Sequence, residues 1–353
     1  MRLTVLSVSY PLAKVSPATA GGAEQVLATI DKALVRDGHR SLVLAPEGSR
    51  CQGLLIPAQI PSGTLDHAAK RDARKVFKHL LDRTLTRYSV DVVHMHGLDF
   101  SEYLPEANVP VVVSLHLPLG WYAPHALQRP KRNTTLVCVS DFQARTAPAE
   151  SQIDCVIPNG VDLDEFRPAS RAGNYVLAMG RICPEKGLHL ALDAAEPVGV
   201  KLILAGTVFE YPEHRKYFDS MIAPRLNDRV QFIGPVGGER KRDLLAGAKC
   251  LLIPSQVNET SSLAAMEAMA AGTPVVAWRS GVLPEIVSDG RTGFLGSSVD
   301  EMAEAINHVP CIDRQECRRE AEERFDARPM FSRYLSLYED VANIASQPEL
   351  QAA

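Results

Sequence analysis

Asn258-Glu259-Thr260-Ser261-Ser262-Leu263-Ala264-Ala265-Met266-Glu267-Ala268-Met269-Ala270-Ala271-Gly272-Thr273-Pro274 runs between two short apolar segments, 250–253 and 274–277. Thr260, Ser261 and Ser262 are residue types that cap helices, and Gly272 followed by Pro274 stops one. The stretch therefore predicts a helix over 262–271 between two strands. Buried parallel strands are short, apolar and bounded by Gly, Pro or Asn, so this is one βαβ unit. The same alternation extends both ways. Further strands are predicted at 3–9, 41–45, 91–95, 110–115, 136–140, 153–157, 175–179, 200–205, 229–233 and near Phe294. Helices are predicted at 23–37, 66–87, 185–195 and 213–226. Such a chain is α/β, built from doubly wound parallel sheets.

Its 353 residues are enough for about two domains. The segment after Pro158-Asn159-Gly160-Val161-Asp162, over 165–174, is polar, aperiodic and holds Pro168 and Gly173. The linker is expected there, giving domains 1–165 and 166–330. Phe331, Tyr334, Leu335, Leu337, Tyr338 and Val341 form one face of a final helix in 331–353, expected either to cross back to the first domain or to cap the second. Residues 347–353 are expected to fray.

Forty-two acidic and 38 basic residues leave a net charge of -4, which argues against nucleic acid as a partner. No run of 18 apolar residues exists, so a transmembrane helix is not expected. The first residues read as a strand and not as a secretory segment. Seven scattered cysteines without a C-x-x-C pair point to buried free thiols, a cytoplasmic setting and no zinc site.

In open α/β sheets ligands bind beyond the carboxyl ends of strands. Gly21-Gly22 precede the helix 23–37, where free N–H groups favour a phosphate; the plainer reading is a flexible helix start. The absence of G-x-G-x-x-G there argues against a dinucleotide oxidoreductase. His116 follows the strand 110–115 and either donates to a substrate or is a satisfied surface histidine. His94-Met95-His96 has His-x-His spacing without a carboxylate or cysteine set beside it, so His94 is placed in the strand and His96 at its mouth. Gly180-Arg181-Ile182-Cys183-Pro184-Glu185-Lys186-Gly187 puts two cations on a strand-to-helix turn. Arg181 can grip phosphate oxygens through parallel N–H bonds, and Lys186 adds a point charge. Glu259 is placed at the helix mouth and Glu267 two turns in, ~12 Å along the axis if the helix reaches that far. Glu267, set among Ala and Met, needs either a ligand hydroxyl or an interior Arg or Lys.

With these residues in view, the chain resembles the retaining glycosyltransferases of family 4, the group 1 glycosyltransferases. Their GT-B architecture has two facing Rossmann-like doubly wound domains with a cleft between them. The resemblance runs nearly end to end, through Gly21-Gly22-Ala23-Glu24, Ile157-Pro158-Asn159-Gly160-Val161-Asp162, Gly180-Arg181 with Glu185-Lys186-Gly187, Glu259-x7-Glu267, Gly281-Val282-Leu283-Pro284-Glu285 and Asp289-Gly290-x-Thr292-Gly293-Phe294. It implies an N-terminal acceptor-side domain and a C-terminal nucleotide-sugar donor domain. It further implies that Arg181 and Lys186 bind the donor diphosphate, that Glu259 contacts the donor sugar, and that Glu267 contacts the ribose. Gly180 and the turn Thr260, Ser261, Ser262 and Leu263 would border phosphates and sugar. Gly21 and Gly22 would approach the diphosphate, and His116 would lie near the transferred sugar.

The implied reaction moves a hexose from a UDP- or GDP-linked sugar to a carbohydrate, lipid-linked or small-molecule acceptor. It retains the α configuration and uses neither metal nor other cofactor. No enzyme nucleophile is implied; the leaving phosphate oxygen assists acceptor deprotonation on the same face. Many members carry Phe-Gly or a similar pair where this chain has Thr260-Ser261-Ser262-Leu263, so the donor sugar is not read from the pattern. The acceptor is assigned to the loops 11–20 and 117–132. The alternatives are a sugar-nucleotide-binding subunit without activity, whose signature would be loss of Arg181, Lys186 or a glutamate, and an epimerase or phosphorylase on the same fold. Within 66–87, Lys70, Arg71, Arg74, Lys75, Lys78, Arg83 and Arg87 outnumber Asp66, Asp72 and Asp82 by four. This basic helix is a candidate for peripheral membrane contact or an anionic acceptor, against the plainer reading of a solvated face on a core-packing helix.

Overall fold

The computed structural model describes residues 2–16, 19, 21–60, 65–129, 131, 133–169 and 171–345. The chain divides into two compact units, Met1–Asn159 with Arg328–Ala353, and Gly160–Ala327. In the first unit, strands β1 (Thr4–Val8), β2 (Arg40–Pro46), β3 (Leu54–Ala58), β4 (Val92–Met95), β5 (Val111–Leu115), β6 (Thr134–Cys138) and β7 (Cys155–Val156) lie in the order β3-β2-β1-β4-β5-β6-β7. In the second, β8 (Tyr175–Arg181), β9 (Lys201–Thr207), β10 (Val230–Phe232), β11 (Leu251–Ile253), β12 (Val275–Trp278) and β13 (Gly293–Gly296) lie in the order β10-β9-β8-β11-β12-β13. Neighbouring strands run parallel in both sheets. Every residue of β4 and β5 is buried, so these runs are apolar without a solvent-facing alternation. Each order reverses once, between β1 and β4 and between β8 and β11. Such a reversal opens a crevice at the strand ends where ligands bind.

The differences from the sequence reading have local causes. β3 was not predicted: it is a partly exposed edge strand and carries Pro57. The helix predicted at 213–226 is regular only over Pro212–Tyr217 and then loosens, because Pro224 withholds an N–H from the ladder. The helix predicted from 185 begins at Leu188, since Gly187 turns left-handed at φ 60°. The segment 165–174 is not the division between units. Val161 pairs with Asp326, Leu163 and Phe166 are buried, and Arg318 donates to the carbonyls of Leu163, Phe166 and Ala270. These bonds stitch the start of the expected linker to the second unit, and the division falls after Asn159.

The last helix, Ala327–Ala345, belongs to the first unit from Arg328 onward. Its Tyr334 hydroxyl shares a 2.6 Å hydrogen bond with Ser114 Oγ, which lies 2.8 Å from His94 Nε2. The Tyr338 hydroxyl meets His94 Nδ1 at 2.7 Å. All four side chains are fully buried, so the chain of bonds satisfies polar groups that no water reaches. Residues 347–353 lie outside the described residues, as do positions 17, 18, 20, 130 and 132 of the loops assigned to the acceptor.

Helix His67–Arg87 is capped by Asp66, which accepts from the Ala69 N–H. On its apolar face, Phe77 and Leu81 are fully buried, while Val76 and Leu80 pack against the same core. Arg74 pairs with Asp99 at 2.6 Å and Lys78 with Asp82 at 3.0 Å. All seven cysteines are free thiols; Cys311 is exposed, and Cys51 and Cys155 are half-buried. No helix among the described residues is long and apolar enough to cross a membrane.

Tyr338→Phe keeps the ring but leaves His94 Nδ1 buried without a partner, which should cost about 1–3 kcal/mol. Urea unfolding followed by Trp121 fluorescence in a Trp278→Phe background measures it. The same probe tests the histidines of this unit. Burial holds His94 and His96 well below the usual imidazole range, and His116 down to about 4. Below 6.5 the unfolded chain takes up protons that the folded unit refuses, so stability should fall with pH from 6.5 towards about 4. The slope should approach ~1.4 kcal/mol per pH unit for each histidine.

Candidate functional site

In the second unit, three turns leave the carboxyl ends of β8, β11 and β12, which are neighbours in the sheet. The first carries Gly180-Arg181 through Lys186-Gly187, the second runs into Glu259, and the third holds Gly281. They are bound to one another by backbone. The Gln256 N–H donates to the Glu185 carbonyl at 2.9 Å, and the Val282 N–H donates to the Glu259 carbonyl at 2.9 Å. Gly187 and Gly281 both sit at φ 60°, where a Cβ would collide with the carbonyl of Pro254 and with the Glu259 backbone respectively. Only glycine lets these turns close on each other.

The result is a short contact at the β8/β11 reversal: Lys186 Nζ donates to Glu259 Oε1 at 2.6 Å. The lysine keeps a quarter of its side-chain surface in solvent, while the glutamate is largely enclosed. Arg181, the last residue of β8, is close enough to act electrostatically on Glu185 and His214. Burial opposes ionisation of Glu185, but its own backbone N–H, the Cys183 thiol and the Arg181 charge hold the carboxyl below its usual range. Gly180 has open space where a Cβ would be.

Helix Leu263–Ala270 starts after Ser262, so Glu259 precedes it by four residues and the ~12 Å axial separation from Glu267 does not apply. Ser262 occupies the cap position, yet its side chain accepts no capping bond. The Ser261 hydroxyl is buried without a partner among the described residues, and Thr260 is buried. Ser262 thus does not supply the side-chain acceptor that its residue type advertised.

Glu267 is buried and its Oε1 accepts from Lys241 Nζ, which reaches it from helix Gly238–Gly247. Lys241 is thus the interior cation weighed as a partner for it. Burial pushes the Glu267 carboxyl up, with Lys241 working against that rise. Lys241 was missed by sequence reading, since it sits in a basic run, Arg240-Lys241-Arg242, that reads as solvated surface.

The first unit holds the remaining predicted residues. Gly21 precedes helix Gly22–Arg36, and the place its Cβ would take is filled by the carboxylate of Glu24. An acid thus lies over the glycine pair expected to approach a phosphate. His116 follows β5 and meets His96 Nδ1 through Nε2 at 2.9 Å, the two rings stacked. His94 has both nitrogens engaged by Ser114 and Tyr338, so the His-x-His pair is built into a hydrogen-bond network.

Two family models match the chain in succession: Glycosyltransferase Family 4 over residues 20–165 and Glycosyl transferases group 1 over residues 163–324. The D-inositol 3-phosphate glycosyltransferase of Mycolicibacterium smegmatis is 34% identical over 183 residues, 47% of this chain and 41% of that protein. The match thus spans about two fifths of this curated relative. Among solved structures, AviGT4, a glycosyltransferase involved in avilamycin A biosynthesis, is 26% identical with a TM-score of 0.71, over 97% of this chain and 98% of its own. Anabaena HepE in complex with UDP-glucose is 21% identical with a TM-score of 0.75, over 96% and 100%, a likeness of fold. The two parallel-sheet, Rossmann-like units and the two successive family matches agree: the chain belongs to the group 1 glycosyl transferases.

Proposed function

We propose that the protein is a retaining glycosyltransferase that moves a hexose from a UDP- or GDP-linked sugar to a hydroxyl acceptor, forming an α-glycosidic bond. The observation that carries this reading is the Lys186–Glu259 contact at the strand-order reversal, with Arg181 on the same turn. A diphosphate entering there would draw Lys186 from Glu259 and free the carboxylate for the hydroxyls of the donor sugar. Arg181 would take phosphate oxygens in parallel, and the amides at Ser261, Ser262 and Leu263 would add donors. As the bond from the sugar carbon to phosphate breaks, negative charge grows on the departing oxygen. Two fixed cations stabilise that charge more than the ground state, which is the condition for catalysis. The departing oxygen then takes the proton of the acceptor hydroxyl while the new bond forms on the same face. Arg181 and Lys186 would do the neutralising that a metal does elsewhere.

From the first unit, we assign Gly21 and Gly22 to the diphosphate and His116 to the transferred sugar. His116 would serve as a neutral hydrogen-bonding group, because burial keeps it unprotonated at pH 7. The relatives named for transfer to D-inositol 3-phosphate support a small hydroxylated acceptor as the first class to screen. A membrane contact through 66–87 would be electrostatic only, because Phe77 and Leu81 are committed to the core.

Calorimetric titration with UDP, GDP, ADP and TDP, without added metal, tests the donor site. Tight binding of one nucleotide is expected; binding of none would favour the inactive-subunit reading. With that donor, Lys186→Ala should slow turnover about 10²–10³-fold. Activity retained within about threefold would remove Lys186 from its role. Glu267→Ala strands Lys241 in the interior and should destabilise the second unit by about 3–5 kcal/mol. Glu267→Gln preserves the shape and should weaken the nucleotide at least about tenfold if the ribose is held there. Unchanged affinity with a lowered unfolding midpoint would confine Glu267 to its ion pair.

A further inference from the structure

A second constellation is built on the turn after β8. Cys183 Sγ, a carboxylate oxygen of Glu185 and a ring nitrogen of His214 lie within 4.8 Å of one another. Cys183 is fully buried and His214 is 5% exposed. Glu185 Oε2 and His214 Nδ1 are both buried without a hydrogen-bond partner among the described residues. Native interiors rarely leave two such atoms unpaired, and here the side chains that carry them converge with a thiol.

The topology produces this meeting. β8 and β9 pair through Gly180 with Gly206 and Arg181 with Thr207, so helix Pro212–Tyr217, which follows β9, starts near the end of β8. Cys183 and Glu185 come from the turn, and His214 comes from that helix. Tyr211 packs against the His214 imidazole with its centroid 5.0 Å away, and Phe209 stands 6.4 Å away. The Glu185 carbonyl is held by the Gln256 N–H. The positions are therefore fixed by backbone and by packing.

We propose that Cys183, Glu185 and His214 form a binding site for a zinc-type divalent metal ion, with a fourth position open. Thiolate, imidazole and carboxylate are the ligand types zinc takes. A tetrahedral ion with ligands at ~2.0–2.3 Å spaces them ~3.3–3.8 Å apart. The set needs to contract by roughly an ångström at its widest, within reach of side-chain rotation. On binding, Cys183 gives up its thiol proton to solvent. Thiolate and carboxylate then cancel the charge of the ion, so Arg181 faces a neutral group. The missing C-x-x-C pair hid this site, because a single residue separates two of the ligands and the third lies on helix Pro212–Tyr217, which follows another strand. The ion takes no part in the proposed transfer chemistry, and its binding does not depend on that reading.

Cobalt(II) titration of the full metal-free chain tests the site. One equivalent is expected to give a thiolate-to-cobalt charge-transfer band and the intense visible bands of tetrahedral cobalt, both bleached by zinc. Cys183→Ser should abolish the charge-transfer band, and His214→Ala and Glu185→Gln should weaken binding at least about tenfold. Cys311→Ser, which alters the exposed thiol, should leave both signals intact. Far-ultraviolet circular dichroism confirms that each variant is folded. No charge-transfer band in the parent chain, or a band that survives in folded Cys183→Ser and His214→Ala, overturns the proposal.

Discussion

The reversal of strand order between β8 and β11 is the constraint on which the candidate site depends. In the second sheet β8 is followed by helix Leu188–Val198, which leads to β9, and β11 by helix Leu263–Ala270, which leads to β12. At the reversal the two connections depart in opposite directions, and the ends of β8 and β11 face open space. Polar side chains on the turns between these strands and their helices meet each other there. Lys186 and Glu259 do so at 2.6 Å, although 73 residues separate them in sequence. Their closeness comes from glycines as much as from charge. Without left-handed turns at Gly187 and Gly281, the β8 and β12 connections could not approach the β11 connection. The ion pair exists because the backbone permits it.

Much of this was legible in the sequence because the signals are local. Gly180-Arg181 after an apolar run, and Gly272-Thr273-Pro274 after an alanine-rich helix, place residues at element ends by chemistry confined to a few positions. β3 was not legible, since an edge strand with Pro57 lacks the apolar continuity of a buried one. The Lys241–Glu267 pair was half legible: Glu267 announced that it needed a partner, but not from which helix. The cluster of Cys183, Glu185 and His214 was beyond sequence reading, because it depends on which strand pairs with β8. The cap at Ser262 illustrates the opposite failure. Its residue type promised a side-chain bond that the backbone, at φ −116° and ψ 86°, does not make.

The first unit owes its interior to residues from the far end of the chain. Tyr334 and Tyr338 are among its largest fully buried side chains, and their hydroxyls complete the bonds of Ser114 and His94. The separations are 220 and 244 residues. Until those residues are available, His94 and Ser114 face each other in a cavity that lacks two aromatic rings. Contacts of such separation close late and slow folding, so the N-terminal sheet is the part whose completion waits for the whole chain. The polar bonds add direction to that packing. A purely apolar helix face could slide or rotate on the sheet, whereas two hydroxyls matched to Ser114 and His94 fix its register.

The charges on the turns after β8 and β11 are balanced before any ligand arrives. Arg181 and Lys186 contribute two positive charges, while Glu185 and Glu259 contribute two negative ones close to them. An anion reaching this turn therefore does not fall into an unopposed positive field; it must replace a carboxylate. A monoanion exchanging for Glu259 on Lys186 gains little, since one carboxylate-like contact is traded for another. A diphosphate gains more: it presents several oxygens to Lys186, Arg181 and the backbone amides together, and the displaced Glu259 can receive sugar hydroxyls. In the proposed function, discrimination between a sugar nucleotide and simple anions thus comes from the carboxylates, through the exchange they impose, as much as from the cations.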